Sequence, residues 1–174
     1  MAGITQERLC GEGQANRDSP RHRDPLLRTK LFAPQAPSGL VARPRLFDHI
    51  AAGLDNPLIL VTAPAGYGKT TLLSTWLRQT SIPSAWISLD ENDNDPVRFL
   101  QYLITALQKI VPAIQMDLLG ALQHTALLNF LINTISEQAP RFMLVLDDLH
   151  TIHAQPVLDM LTHLVEHMPP QMHI

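Results

Sequence analysis

The sequence predicts an α/β fold built on a mostly parallel sheet. Short apolar runs alternate with stretches whose apolar residues recur at helical spacing, which is the pattern of strands joined by crossover helices. The runs at 57–62 (Pro-Leu-Ile-Leu-Val-Thr) and 142–146 (Phe-Met-Leu-Val-Leu) are continuously apolar, as expected of strands covered on both faces. The first run passes through Gly66 and Gly68 straight into a helical stripe.

Taken in order, Met1 to about Pro25 is polar and aperiodic. The expectation is a disordered tail over residues 1–26, with Arg17, Arg21 and Arg23 as a solvated cluster, and a globular part over 27–174. Leu31 to Pro44 is proline-rich and reads as extended chain, since proline fixes φ and biases its predecessor away from the helical region. A short helix follows from Pro44 to Leu54, with proline in the first turn and Leu46, Phe47, Ile50 and Leu54 on one face. After the 57–62 strand and its glycine turn, a helix runs from Lys69 to about Gln79. Ala85 to Leu89 is a second short strand. Asp95 is an N-cap and Pro96 a first-turn proline. The helix behind them carries Leu100, Leu103, Ile104, Leu107 and Ile110 on one face and stops at Pro112. A further helix from about Leu122 to Glu137 has Leu128, Leu131, Ile132 and Ile135 as its stripe. Phe142 to Leu146 is the third strand. Pro156 opens a last helix, with Val157, Leu158, Leu161, Leu164 and Val165 inward. Pro169 and Pro170 end it, and Gln171 to Ile174 begins a fourth strand. No internal repeat is present.

Bulk properties narrow the function classes. A length of 174 residues fits one domain or a piece of a longer protein. An apolar fraction of 45% supports a core, while 5% aromatics means that the core is mostly aliphatic. A net charge of -3 gives no broad attraction to nucleic acid or to acidic membranes. The single cysteine, Cys10, forms no internal disulfide and suits a reducing compartment. The N-terminal region lacks an apolar core of the secretory type, and no run approaches a membrane span. The expected setting is cytoplasmic.

The segment with the clearest chemistry is Ala63-Pro-Ala-Gly-Tyr-Gly-Lys-Thr-Thr71, between a strand and a helix. Triphosphate oxygens need many donors at short range. Glycines let the backbone curl so that successive N–H groups converge, and a helix N-terminus adds partial positive charge. Lys69 is placed to reach the β- and γ-phosphates, and the Thr70 hydroxyl to ligate Mg²⁺. Ala65, Gly66, Tyr67, Gly68 and Thr71 complete the cradle. The first position of the G-x-x-x-x-G-K-[ST] pattern is Ala63, which departs from it; alanine accepts most backbone geometries other than positive φ.

The second motif is the strand 142–146 followed by Asp147 and Asp148. Ligands of open α/β sheets sit at the carboxyl ends of strands. One carboxylate there can hold Mg²⁺ and another can orient or deprotonate the attacking water; Asp147 is assigned to the metal and Asp148 to the water. Other clusters lead elsewhere. The acidic run 90–95 lacks the glycine and glutamate of a calcium loop, having Asp95 and Gln101 at those places. His163 and His167 have metal-ligand spacing but no third partner in sequence, and His150 and His153 read as loop residues.

With both motifs in place, the chain resembles the MalT-like, ATP-binding LuxR-type transcriptional regulators, members of the STAND branch of P-loop ATPases. The matching segments include Leu27-Arg-Thr-Lys-Leu-Phe-Ala-Pro34, Val41-Ala-Arg-Pro-Arg-Leu46, the phosphate loop, Trp86-Ile-Ser-Leu-Asp90, Asn94-Asp-Pro-Val-Arg-Phe-Leu100, Leu144-Val-Leu-Asp-Asp148 and His167-Met-Pro-Pro-Gln171. The resemblance implies a P-loop NTPase domain of three α/β/α layers with sheet order 5-1-4-3-2. It implies a switch in which ATP and an inducer hold a self-associating active form that hydrolysis resets, with Arg43 near the nucleotide. In that order the sequence stops within strand 4. The expectation is a domain truncated before strands 4–5 are complete, from which the promoter-binding helix-turn-helix is absent, so that this chain alone binds no DNA. ATP is preferred over GTP on the resemblance and on the lack of an Asn-Lys-x-Asp motif. A small-molecule P-loop kinase and an inert truncated fragment are the rival readings.

Overall fold

The computed structural model describes residues 25–35, 39, 41, 43–115 and 123–174. Residues 1–24 of the expected tail, with the arginine cluster, lie outside the described residues; Leu26, at the end of the expected tail, packs against the core. Three strands form a parallel sheet in the order β1-β2-β3: β1 is Ser84–Ser88, β2 is Phe142–Asp147 and β3 is Met172–His173. Five helices are described: α1 (Pro44–Gly53), α2 (Lys69–Gln79), α3 (Pro96–Leu107), α4 (His124–Gln138) and α5 (Gln155–Glu166). The helix starts follow from local chemistry. Proline occupies the first turn of α1, α3 and α5, where its missing N–H costs nothing. The Asp95 carboxylate caps α3 by accepting from the Arg98 amide at 2.8 Å.

The sheet separates two apolar layers, because successive strand residues point to opposite faces. On one face Ala85, Ile87, Phe142, Leu144 and Met172 meet the stripes of α3, α4 and α5, with Phe99, Leu103, Leu107, Leu131 and Leu164 among the enclosed residues. On the other, Trp86, Met143 and Val145 meet Ile50 of α1 and Trp76 and Leu77 of α2. The three-layer α/β/α arrangement expected from the sequence is therefore present. Leu127 and Met160 join the core, while Ile132, Leu158 and Val165 are only half-buried.

One element departs from expectation. Residues 57–62 do not form a ladder strand. They are held beside β3 by two backbone bonds, Ile59 N–H to the Ile174 carbonyl at 2.7 Å and Ile174 N–H to the Pro57 carbonyl at 2.9 Å. Their neighbour β3 is two residues long, and the backbone pairing is confined to Pro57, Ile59 and Ile174. Leu60 is accordingly 76% exposed, while Ile59 and Val61 remain half-buried. The lateral order β1, β2, β3 and then 57–59 nonetheless places the fourth strand of the expected topology between the phosphate-loop segment and the acidic strand. At the amino ends of the strands, Arg141 Nε donates to His173 Nε2 at 3.0 Å and Arg141 Nη2 to the Leu54 carbonyl at 2.7 Å. That leaves His173 Nδ1 to donate to the Asn56 carbonyl at 3.0 Å. The network ties the end of α1 to β3. Among the described residues no helix is long and apolar enough to cross a membrane.

Candidate functional site

The glycine turn is shaped by backbone torsion rather than crowding. Gly66 and Gly68 have φ of 81° and 80°, and a Cβ at either would meet nothing within 4 Å. Glycine is needed there because side-chain-bearing residues are strained in the left-handed region. Gly68 is the N-cap of α2 and offers no side-chain cap, so the first amides of the helix stay available as donors. The Leu72 N–H closes the first helical turn on the Gly68 carbonyl at 2.8 Å. Lys69 Nζ folds back over the loop and donates to the carbonyls of Ala63 (2.9 Å) and Pro64 (3.3 Å).

The acidic strand meets this loop directly. The Thr70 hydroxyl donates to both carboxylate oxygens of Asp147, at 3.0 and 2.9 Å. Asp147 is 7% exposed. Burial pushes its carboxyl above the usual carboxylate range and the negative charge of Asp148 adds to this, against the opposing Thr70 hydrogen bond and Lys69 charge. Asp148 follows with φ of 57°, which turns the chain out of β2 into a short 3-10 turn, Leu149–Thr151. Its carbonyl accepts from the Thr151 amide and hydroxyl, each at 3.0 Å, while its half-exposed carboxylate lies 3.7 Å from His150 Nδ1.

Two cavities flank the glycine turn. The larger, about 1220 Å³, is walled by Lys69, Thr70, Asp147, Asp148, His150 and Asp90, and Ala65, Gly66, Gly68 and Thr71 also line it. The smaller, about 490 Å³, lies between the turn and α1 and is lined by Val41, Arg43, Phe47, Tyr67, Thr75 and Gln79. Arg43 Nη1 donates to the Tyr67 carbonyl at 3.2 Å, bracing α1 against the loop. The Thr75 hydroxyl oxygen is buried with no partner. The residues singled out in the sequence thus fall into two groups on either side of one loop, with Gly66, Gly68 and Thr71 shared by both cavities. Sequence reasoning missed Asp90 as a cleft residue, having dismissed its segment as a false calcium loop. It also missed Thr75 and Gln79, whose only signal is their spacing of four along α2.

The raised Asp147 pKa has a stability consequence. Between about pH 3.9, the ordinary carboxylate value, and its raised folded value, the native state binds the proton that the unfolded state releases. Stability is therefore lost as pH rises through that window. Asp147→Asn keeps an acceptor for Thr70 and carries no charge to desolvate. It is expected to melt a few degrees higher than wild type at neutral pH without nucleotide, with the gain vanishing below about pH 3.9. A lower melting temperature at pH 7 would show that the charge is fully compensated.

Comparison with known proteins places this arrangement. The AAA ATPase domain family matches residues 44–174. The HTH-type transcriptional regulator MalT of Vibrio cholerae is 34% identical over 149 residues, covering 81% of this chain and 16% of the relative. MalT of Klebsiella pneumoniae is 34% identical over 154 residues, covering 84% of this chain and 17% of the relative. The serine/threonine-protein kinase PknK of Mycobacterium tuberculosis is 34% identical over 131 residues, covering 70% of this chain and 12% of the relative. The chain thus spans about one sixth or less of the length of these relatives. On the match across 44–174, joined to a glycine turn that meets a buried acidic strand end, the chain belongs to the AAA ATPase domain family, as a MalT-like member of it.

Proposed function

We propose that this chain binds ATP with Mg²⁺ and hydrolyses it, serving as the nucleotide switch of a MalT-type transcriptional regulator in the cytoplasm. The observation that carries the reading is the Thr70–Asp147 pair, which joins the phosphate loop to the acidic strand end across 77 positions of sequence. Thr70 and Asp147 offer hard oxygen donors, the set that Mg²⁺ takes when phosphates and waters fill its other positions. Their fit is supported by Asp147 itself, a buried carboxylate whose charged form is disfavoured until a cation arrives. When bound, the ion screens the phosphate charge and polarises the γ-phosphoryl group.

The remaining work falls to the chain. The amides of 65–71 and the start of α2 hold phosphate oxygens. Lys69 exchanges the Ala63 and Pro64 carbonyls for the β- and γ-phosphates. Asp148 orients the attacking water. The water oxygen bonds to the γ-phosphorus as the bridging P–O bond breaks, ADP departs with that electron pair, and the water protons end on phosphate and in solvent. The smaller cavity, with Arg43, Tyr67 and the unpartnered Thr75 hydroxyl, takes the nucleoside. In the longer proteins, inducer, self-association and promoter DNA would respond to the nucleotide state through regions outside these 174 residues.

Equilibrium dialysis tests this directly. ATP should bind more tightly with Mg²⁺ than with EDTA, and ADP should displace it better than GDP. Equal affinity in Mg²⁺ and EDTA would remove Thr70 and Asp147 from the metal role, and no ATP binding at millimolar concentration would overturn the reading.

A further inference from the structure

Outside the two motifs, the described residues contain an enclosed charge cluster, and it reaches the larger cavity. Asp93 is completely buried. Its carboxylate accepts from the Lys30 ammonium, from the Asp90 amide at 2.9 Å and from Arg98 Nε at 3.4 Å. Lys30, itself 7% exposed, comes from the short 3-10 turn Arg28–Leu31, far earlier in the chain. Its ammonium lies 4.7 Å from the centre of the Tyr102 ring, and the Tyr102 hydroxyl accepts from the Leu27 amide at 3.0 Å. Lys109 donates to the Leu31 carbonyl. The N-terminal arm is therefore fastened to α3 at several points.

The same ammonium also reaches Asp90 Oδ2 at 3.0 Å. Asp93 does not need this, since Arg98 already supplies a second cation. Asp90 has a structural duty of its own, capping the 3-10 turn Glu91–Asn94 by accepting from the Asn92 amide at 2.8 Å. An uncharged Asn or Ser would perform that duty equally well. What the charge adds is its location. Asp90 lines the larger cavity together with Asp147 and Asp148. It leaves β1 beside the point where Asp148 leaves β2, since Ser88 pairs with Asp147 and the Leu89 amide donates to the Asp147 carbonyl at 3.0 Å. The carboxylate is 49% exposed, towards solvent and cleft. Partial burial pushes its pKa up, but the Lys30 ammonium and the Asn92 amide outweigh this and hold it below the usual carboxylate range. It stays ionised and makes a poor proton store but a firm acceptor.

An attacking water has two O–H bonds to direct, and one carboxylate fixes only one of them. Resting on the ATP-hydrolysing reading above, we propose that Asp90 is a second water-orienting carboxylate beside Asp148, and that Lys30 is the positioning residue through which the N-terminal arm holds it. The reaction balance is unchanged: the water oxygen bonds the γ-phosphorus, ADP leaves with the bridging oxygen, and Asp90 accepts a hydrogen bond without keeping the proton.

The test measures steady-state ATP hydrolysis, ATP affinity by dialysis and melting temperature in wild type, Asp90→Asn, Lys30→Met and Lys30→Arg. Asp90→Asn retains the cap, so melting temperature and ATP affinity should match wild type while kcat falls by about tenfold to a hundredfold. Lys30→Met should lower kcat likewise, and Lys30→Arg should restore most of it. Should Lys30→Met fail to fold, Asp90→Asn decides alone. Wild-type kcat in Asp90→Asn overturns the proposal while leaving the cleft reading intact, and so does a kcat loss matched by equal losses in melting temperature and ATP affinity. A wild-type protein that binds ATP but does not hydrolyse it overturns the proposal and the hydrolytic part of the reading; one that binds no ATP removes both.

Discussion

Lys69→Ala is expected to weaken ATP binding by at least about tenfold and up to about a hundredfold, the equivalent of one charge-assisted contact of about 1.5–3 kcal/mol. The loss is bounded because Lys69 is not idle beforehand. Its ammonium donates to the Ala63 and Pro64 carbonyls, and those bonds are given up on capture of the phosphates. Only the difference between carbonyl and phosphate partners appears in the affinity, and phosphate is favoured by its full charge. The fold should be unaffected, since the helix start depends on Gly68 and on the Gly68–Leu72 bond rather than on the lysine side chain. The measurement is a dissociation constant by equilibrium dialysis beside a thermal melt. Equal ATP affinity in the two proteins would dissociate the glycine turn from phosphate binding.

Asp148→Asn is expected to leave ATP affinity near that of wild type and to slow hydrolysis by about a hundredfold or more. The substitution is chosen for the backbone. Asp148 has φ of 57°, a region that Asn adopts readily and Ala does not, so alanine would add strain of about 1–2 kcal/mol to any chemical effect. The carbonyl bonds to Thr151 that hold the turn are independent of the side chain. A single-turnover assay with ATP in limiting amount separates chemistry from product release. Hydrolysis at the wild-type rate would assign the water to another residue, with Asp90 the first to examine.

These expectations rest on positions that differ in how far they could be read in advance. Features written in adjacent residues were legible: Pro44 and Pro96 in their first turns, Asp95 as a cap, the apolar run of β2 and the glycine turn before α2. Features that depend on a distant partner were not. The 57–62 run has the composition of a buried strand, yet a ladder needs a neighbour of matching length, and composition is silent on that. Asp93 looks like a loop acid, and its burial is decided by Lys30, 63 positions away. For the site, each end of the Thr70–Asp147 bond was named from its own motif, and the resemblance supplied the strand order that brings them together. The second cavity was legible through Arg43, Tyr67 and the shared Gly66, Gly68 and Thr71, but not through Thr75 and Gln79, which carry no motif.

The chain contains only two tryptophans, and both lie in the same apolar layer. Trp76 is on α2, the helix that starts at the phosphate loop, and Trp86 is on β1, where its indole N–H donates to Ser88 Oγ at 2.9 Å. The layer formed by α3, α4 and α5 holds neither. Tryptophan fluorescence, excited apart from the tyrosines, therefore samples one side of the sheet alone. A displacement of α2 on nucleotide capture would alter the surroundings of both indoles and change the emission, while a rearrangement confined to α3–α5 would pass unseen. The protein thus carries an optical gauge placed under the glycine turn, and it needs no added dye.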